Sequence, residues 1–161
     1  LTGHLVLSTL HTNDAPSAVT RLLDLGVPAY LLNSTLVGVM AQRLVRTLCR
    51  HCKTPDGQVS EEEWNALIRP FKAPKPAHVY RPVGCLECRM TGYRGRTGLY
   101  EILVTDERSR QIVTERPDLA ALRRHAMKAG MRPLRLAGAM RVAAGATTVD
   151  EVVRNAPPIE T

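Results

Sequence analysis

The sequence predicts an α/β chain that carries a zinc-pinned insert and ends in a bundle of helices. Three observations support this class: an apolar run at residues 5–7, two C-x-x-C pairs that contain all four cysteines, and helical periodicity from about residue 106 onward. Hydrophobic residues make up 44% of the 161 residues, as in ordinary globular proteins, but aromatic residues make up only 4%. The core should therefore be aliphatic.

Residues 5–7 predict a strand near the beginning of the sequence. The apolar run is continuous, which is typical of a strand buried on both faces of a parallel sheet. Such a strand needs neighbours, and the sequence begins inside it at Leu1, so we expect a fragment of a longer protein. Ligands of open α/β sheets bind beyond the carboxyl ends of the strands. The polar residues at that end are therefore candidate site residues: Thr9, His11, Thr12 and Asn13.

Two helices should follow this strand. Asn13 or Asp14 can cap the first helix, which Gly26 should end. The second should begin at Pro28 and continue an apolar stripe as far as Met40.

Two C-x-x-C pairs, Cys49 with Cys52 and Cys85 with Cys88, predict a structural zinc site. Each turn directs two sulfurs to one spot, and two turns supply the four thiolates of a closed tetrahedral site. Two disulfides or two redox turns are the alternative. Zinc is favoured because all the cysteines are used in pairs, whereas a redox C-x-x-C more often occurs once beside a βαβ pattern.

Residues 53–84 form an insert between the cysteine pairs. Ser60 and Glu63 match a capping box, which predicts a short helix there. Four prolines predict an irregular conformation for the rest: Pro70, Pro74, Pro76 and Pro82. So small an insert can bury little surface of its own. We therefore expect zinc to hold it, since metal binding can contribute on the order of 10 kcal/mol to such a module.

The remaining chain should contain one strand and four helices. Three glycines within residues 92–98 predict a tight turn, and residues 99–104 predict a strand. We place this strand beside a strand that begins at Leu44-Val45, because the zinc site would bring their ends together. Helices are predicted at about residues 106–114, from Asp118 to Gly130, at 134–144 and after a Thr148–Glu151 capping box, with a loose tail from Pro157.

Histidines are the other candidate site residues. His11 lies where the first strand should end and could donate a hydrogen bond to a phosphate, although a histidine there is more commonly structural. His4 lies seven positions earlier, on the opposite face of a regular strand, so the two could not share a metal ion. His51 could replace a cysteine ligand, but four cysteines suffice, and we expect it either to be solvated or to lie just outside the ligands. His78 and His125 should lie at the surface.

The formal net charge of +7 permits a nucleic acid, an anionic lipid or a phosphate ligand as partner. The basic residues are spread along the chain without interleaved aromatics, which indicates a solvated, arginine-rich surface. No apolar run of 18 residues and no signal-peptide pattern occurs, so we expect no membrane span and no cleaved leader. The sequence also lacks a G-x-x-x-x-G-K-[ST] loop and a Ser-His-Asp or Cys-His arrangement. The residues alone therefore indicate no reaction.

The order of motifs resembles one family. Residues 1–15, LTGHLVLSTLHTNDA, resemble the His box of the type II secretion and type IV pilus assembly ATPases, the GspE/PilB group. The resemblance continues through residues 42–46 (QRLVR), the two cysteine pairs and residues 92–101 (GYRGRTGLYE). Pilus retraction ATPases have a similar His box but lack the zinc insert, so the cysteines favour the secretion or assembly branch.

The resemblance implies the C-terminal part of a RecA-like, P-loop NTPase core that works as a homohexamer. It would be cytoplasmic, peripheral to the inner membrane and docked on secretion or pilus platform proteins. ATP and Mg²⁺ would be the cofactors of the full-length protein, and hydrolysis would drive assembly of a pilus or pseudopilus. His4 and His11 are the candidate catalytic residues, and His11 with Thr9 the candidates for contacting the nucleotide. The four cysteines would hold structural zinc, away from the chemistry.

The chain departs from this family pattern in one large respect. The Walker A loop, the Asp box and the Walker B strand precede the His box in the family, and none lies in these residues. Without the phosphate-cradling loop, its lysine and the Mg²⁺ ligands, we predict that this chain alone neither binds ATP tightly nor hydrolyses it.

Five segments follow from this interpretation. They are part of the ATPase core (1–48), the zinc insert (49–88), a return strand of the core (89–104), a helical subdomain (105–156) and a tail (157–161). The alternative function is a stand-alone zinc-ribbon module that binds nucleic acid through its arginine-rich surface. Glu61, Glu62 and Glu63 and the lack of stacking aromatics disfavour it, so we expect no nucleic-acid partner.

Overall fold

The computed structural model describes residues 3–115 and 117–160 and shows a mixed α/β chain. Leu1, Thr2, Arg116 and Thr161 lie outside the described residues, and with them the beginning of the predicted first strand and the end of the predicted tail. The elements in chain order are α1 (Ala15–Asp24), α2 (Ala29–Thr35), β1 (Gly38–Leu48), β2 (Thr54–Gly57), α3 (Glu61–Ile68), β3 (Val79–Arg81), a 3-10 turn (Leu86–Cys88), β4 (Tyr93–Val104), α4 (Glu107–Glu115), α5 (Leu119–Lys128), α6 (Leu134–Ala143) and α7 (Val149–Asn155).

The strand predicted at residues 5–7 is not formed. Leu5, Val6 and Leu7 are 79%, 80% and 88% exposed and have no regular secondary structure. A strand needs hydrogen-bonding partners along its edge, and no described strand lies beside these residues. The described sheets are both two-stranded and antiparallel, so the parallel sheet predicted for this region is also not found among the described residues.

Strands β1 and β4 form the central ribbon of the described chain. They pair antiparallel from Gly38 opposite Val104 to Leu48 opposite Tyr93, with one irregularity between Arg46 and Leu48. The predicted pairing of these two segments is confirmed. Both strands are longer than predicted, because their pairing continues into residues that the local patterns assign to a helix or to a turn.

Two local patterns gave wrong boundaries for this ribbon. The helical stripe predicted to reach Met40 ends at Thr35, because β1 begins at Gly38 and pairs with β4 instead. The glycine turn predicted at residues 92–98 lies largely within β4. Glycine suits position 98, because the ring of Tyr100 covers it so closely that an added Cβ would lie 2.4 Å from the phenol oxygen.

One face of the ribbon faces the core and the other faces solvent. Val45, Leu99 and Leu103 are buried, and α1, α6 and α7 pack on this ribbon. The other face presents exposed apolar side chains: Met40, Leu44, Tyr100, Ile102 and Val104. The strands thus alternate between inward and outward residues, as expected for an antiparallel ribbon that is covered on one face.

The insert contains more regular structure than its prolines suggest. Strands β2 and β3 pair antiparallel as a two-stranded sheet with α3 between them in sequence, and the predicted Ser60–Glu63 capping box begins α3. Trp64 of α3 is 1% exposed, and its indole Nε1 donates to the carbonyl oxygen of Ala73 at 3.0 Å. Trp64 and two other residues of α3, Leu67 and Ile68, belong to one core cluster. That cluster also contains residues of β4, α6 and α7, including Leu99, Leu134, Val142 and Val152. The insert therefore shares the main core rather than depending on a metal alone.

The four C-terminal helices lie close to where the sequence predicts them. Asp118 caps α5 by accepting from the N–H groups of Ala120 and Ala121. Thr148 caps α7, but the carboxylate of Glu151 turns away to Arg46, so only half of the predicted capping box forms. A second core cluster joins α5 to α1 and β4 through Ala15, Val19, Leu103, Leu122, Ala126 and Met131.

The predicted loose tail is docked as far as it is described. Arg135 donates to the carbonyl oxygens of Ala156 at 2.6 Å and Pro157 at 3.2 Å, and Ile159 packs against the core. Among the described helices, none is both long enough and apolar enough to cross a bilayer.

Candidate functional site

The structure brings the four cysteine sulfurs to one spot. All four Sγ atoms lie within 4.8 Å of one another, and none forms a disulfide. The sulfurs are 3.9 Å apart for Cys49 and Cys85, 3.8 Å for Cys52 and Cys88, and 3.7 Å for Cys85 and Cys88. These separations exclude the bonded distance of a disulfide, which is about 2 Å.

The sulfur separations match a tetrahedral metal site. Four thiolates about 2.3 Å from a central zinc ion lie roughly 3.8 Å from one another at the corners of a tetrahedron. The four donors are all sulfur, which is the set that closed structural zinc sites use. The cysteines are therefore positioned to bind a metal ion, and both the number and the type of donor fit zinc.

Backbone amides donate hydrogen bonds to two of the four sulfurs. Gly84 donates its N–H to Cys52 at 3.3 Å, and Cys85 and Gly92 donate theirs to Cys88 at 3.2 Å each. Burial by itself raises the pKa of Cys88, but the two amide donors together with hydrogen bonds from the Cys85 and Cys52 sulfurs lower it to about 6. The pKa of Cys85 is raised to about 11, chiefly by burial, with further contributions from hydrogen bonds to the neighbouring sulfurs.

Tight turns create this arrangement. The N–H of Lys53 donates to the carbonyl oxygen of Cys49, and the N–H of Met90 donates to that of Cys85. Arg89 and Met90 adopt the left-handed conformation, with φ of 53° and 62°. Gly92 follows with φ of 75°, and an added Cβ would lie 2.4 Å from that of Pro82. Only glycine fits there, so the glycine after the second pair serves the cysteine turn.

His51 is not part of the sulfur cluster. It is exposed, as predicted, and its Nε2 accepts from Arg50 Nε at 3.4 Å. His78 is also exposed and makes an edge contact with Tyr80. His125, predicted to be a simple surface residue, instead lies 2.8 Å from Asp106 Oδ2, because α4 and α5 pack side by side.

Polar contacts fasten the cysteine turns to the C-terminal helices. Lys53 Nζ donates to the carbonyl oxygen of Gly145 at 2.6 Å and lies 4.4 Å from the ring centre of Tyr80. Arg46 stacks over Tyr93 at 4.1 Å, and the Tyr93 hydroxyl lies 3.1 Å from Thr148 Oγ1. These contacts join residues far apart in sequence, so no local pattern predicted them.

The predicted nucleotide-contacting residues are exposed in this chain. His4, Thr9 and His11 make no hydrogen bond to any described residue, and none belongs to the cysteine cluster. They do not lie on a regular strand, so their expected arrangement on its two faces is not formed. Their roles in nucleotide binding and catalysis stay predictions.

The first hydrogen bonds along the described chain lie directly after His11, at Thr12. The Thr12 hydroxyl donates to the carbonyl oxygen of Asp14 at 3.0 Å, and the Thr12 carbonyl accepts from Arg43 at 3.4 Å. Asn13 is exposed and does not cap α1; Asp14 does, accepting from the N–H of Ser17 at 2.8 Å. Of the two caps that the sequence allowed, the structure uses Asp14.

Two polar residues near α1 were missed by the sequence analysis. Glu101 is only 3% exposed, although it lies within the apolar strand β4. Arg123 of α5 pairs with Asp14, with 2.7 Å between Nη2 and Oδ2. A charged residue inside an apolar strand run was the available signal for Glu101; Arg123 carried no comparable signal.

Comparisons with known proteins identify the family. A family model described as type II/IV secretion system protein matches residues 1–154. The chain is 50% identical over 98% of its length to a type IV pilus assembly ATPase, TfpB, of Acinetobacter baylyi, covering 27% of that protein. It is 47% identical over 96% of its length to a type II secretion system protein E of Pseudomonas aeruginosa, covering 30%. It is 43% identical over 98% of its length to a type IV pilus assembly ATPase, PilB, of Myxococcus xanthus, covering 28%.

The chain thus spans less than a third of the length of each of these relatives. The motifs that carried the resemblance in sequence, from the His box through the cysteine pairs, all fall within the matched region. Since the family model matches nearly all of it, the chain belongs to the type II/IV secretion system protein family.

Proposed function

We propose that this chain is the C-terminal part of a motor ATPase that powers type II protein secretion or type IV pilus assembly. The observation that carries the proposal is the family match over residues 1–154, with relatives named as ATPases or proteins of both systems. ATP and Mg²⁺ would bind a RecA-like core of which residues 1–48 and 89–104 are one part. The activity belongs to the longer protein, because this chain carries no phosphate-cradling loop.

The cysteine cluster would hold zinc in a structural role. A closed set of four thiolates leaves no open position for water or substrate, so the ion would tie the two cysteine turns together without chemistry of its own. The sulfur separations and the four-sulfur donor set support this assignment.

The assembled protein would be a homohexamer at the cytoplasmic face of the inner membrane, docked on secretion or pilus platform proteins. The resemblance to the assembly ATPases is what supports this arrangement. Exposure of the apolar residues 5–7 is consistent with it, because a longer chain could supply the strands that they lack here.

The nucleic-acid alternative has less support. Several arginines are already paired with carboxylates, including Arg46 with Glu151, Arg94 with Glu87 and Arg123 with Asp14. Stacking aromatics are also scarce. Binding to a phosphate backbone falls steeply as the salt concentration rises. Binding of this chain to DNA that weakens in this way would support the nucleic-acid alternative, whereas binding that persists at high salt would not.

The reading frame upstream of Leu1 tests the proposal first. We expect it to continue through a strand, a G-x-x-x-x-G-K-[ST] loop and an acidic strand before residue 1. A start codon close to Leu1 would contradict the motor assignment. Deletion of the gene should then abolish either surface pili or secretion of folded proteins into the medium, and the phenotype that is lost identifies the system.

A further inference from the structure

Side chains from two other elements, β4 and α5, hold the N-terminal end of α1. Oε1 of Glu101 in β4 accepts from the N–H of Ala15 at 2.7 Å, and Oε2 accepts from the N–H of Leu134 at 3.1 Å. Ala15 and Leu134 are the first residues of α1 and α6. One buried carboxylate therefore satisfies the first free amide of two helices and fixes their distance from each other.

Arg123 of α5 holds the same end from another side. Its Nε donates to Asp14 Oδ2 at 2.9 Å and its Nη2 to Ser17 Oγ at 3.3 Å. It also pairs with Glu160 of the C-terminal segment. The side chains of Arg123 and Asp14 are only 14% and 15% exposed, so this ion pair is largely shielded from solvent.

His11 lies just outside this anchored end. It precedes Asp14 by three residues, and residues 3–11 make no hydrogen bond to any described residue. The described chain therefore fixes the position of His11 only from its downstream side, through Thr12, Asp14 and Ala15.

We propose that Glu101 and Arg123 are positioning residues that set the place of the His11 segment relative to helices α5 and α6. This inference rests on the proposed function, because it assigns the effect to ATP hydrolysis by the longer protein. A shift of α5 or α6 would move the first turn of α1, and with it the residues that lead to His11. The C-terminal helices would thereby influence the reaction without touching the nucleotide.

A double-mutant cycle in the longer ATPase tests the proposal. We expect Arg123→Gln to lower kcat about tenfold with the KM for ATP little changed, because a small displacement of a reacting group is costly. In a His11→Ala background the same change should lower kcat less than about twofold, since residues that act through one another are not additive. Arg124→Gln, on the exposed side of α5, is the matched control and should be silent in both backgrounds.

Equal losses in the two backgrounds would overturn the proposal, as would an unchanged kcat for Arg123→Gln. Amide exchange provides a readout that does not depend on activity. In the longer protein, exchange of the amides within residues 12–18 should accelerate in Arg123→Gln and in Glu101→Gln but not in Arg124→Gln, and unchanged exchange in the first two would also overturn the proposal. If the longer protein fails to hydrolyse ATP at all, the proposed function fails, whereas accelerated exchange would still support the anchoring of the His11 segment.

Discussion

At the residue scale, buried carboxylates join parts of the chain that are distant in sequence. Glu151 of α7 is 4% exposed and accepts from the backbone N–H of Arg46 at 2.9 Å and from its guanidinium at 2.6 Å. The side-chain hydrogen bond to Arg46 is the main reason that the pKa of Glu151 is lowered. The sequence predicted that Glu151 caps its own helix. Its contact with Arg46 of β1 depends on tertiary packing, which a local pattern cannot show.

Replacement of Glu151 should destabilise the fold. Glu151→Ala would leave the Arg46 N–H and the guanidinium without their acceptor, which should lower the free energy of unfolding by about 1–3 kcal/mol. Glu151→Gln keeps an acceptor and should lose less. Urea denaturation measures both, with Asp150→Ala, an exposed neighbour, as the control. A loss for Asp150→Ala as large as that for Glu151→Ala would contradict the role of the Arg46 contact.

Asp106 should make stability depend on acid. Hydrogen bonds from the backbone N–H and hydroxyl groups of Ser109 and from His125 lower its pKa from 3.8 to about 2, the backbone bond contributing most. Because the folded-state pKa lies below the unfolded value, the stabilisation is complete above about pH 4 and is lost as the pH falls toward 2.

Thermal unfolding between pH 2 and 6 measures this contribution. Asp106→Asn should lower the melting temperature above pH 4 and flatten its fall below that pH. Asp24→Asn serves as the control, because Asp24 is exposed and has no ion pair with a described residue. Parallel acid profiles for wild type and Asp106→Asn would show that another group causes the loss.

At the element scale, local signals predicted helices better than strands. The cap at Asp14 and the caps at Ser60, Asp118 and Thr148 are encoded within a few residues of the helices that they begin. Strand boundaries depend on partners far away in sequence, which is why β1 begins six residues before Leu44 and why the pairing of β2 with β3 was not predicted. The two C-x-x-C pairs were predictable because each pair is local and carries its chemistry in its spacing.

The same distinction explains the insert. Its capping box was visible in sequence, but burial of Trp64, Leu67 and Ile68 against α6 was not, because that contact joins helices far apart in the chain. The insert is therefore coupled to the C-terminal helices by packing as well as by the cysteine turns.

Metal removal should consequently affect more than the insert. Trp64 is the single tryptophan, so its fluorescence reports on the insert, while circular dichroism at 222 nm reports mainly on the helices. On heating after chelation, or in Cys85→Ser, we expect both signals to change in one coincident transition at a lower temperature than in the zinc-loaded protein. Ser60→Ala, which removes the α3 cap but not a cysteine, should weaken the fold by about 1 kcal/mol and retain the metal.

Two separate transitions would contradict this coupling. If Trp64 fluorescence changed well before the helical signal, the insert would unfold by itself, and its contacts with α6 would contribute little to cooperativity. A chelator that left both melting curves unchanged would instead contradict a structural role for the metal.

At the scale of the whole molecule, the family and the cysteine cluster were recognisable from the sequence, whereas the surroundings of the His box were not. The motif order predicted a family that the comparisons confirm, and the four cysteines meet as expected. The strand at residues 5–7 failed because a buried strand requires partner strands that no described residue supplies. The nucleotide roles of His4, Thr9 and His11 stay predictions.

Steady-state ATP hydrolysis tests the account most directly. The protein translated from the complete reading frame and the 161-residue chain should be assayed side by side with Mg²⁺ and ATP. We predict turnover by the longer protein that falls at least about tenfold in His11→Ala, and no turnover above background by the 161-residue chain. Hydrolysis by the short chain that disappears in His11→Ala would contradict the account, and so would a longer protein without any ATPase activity.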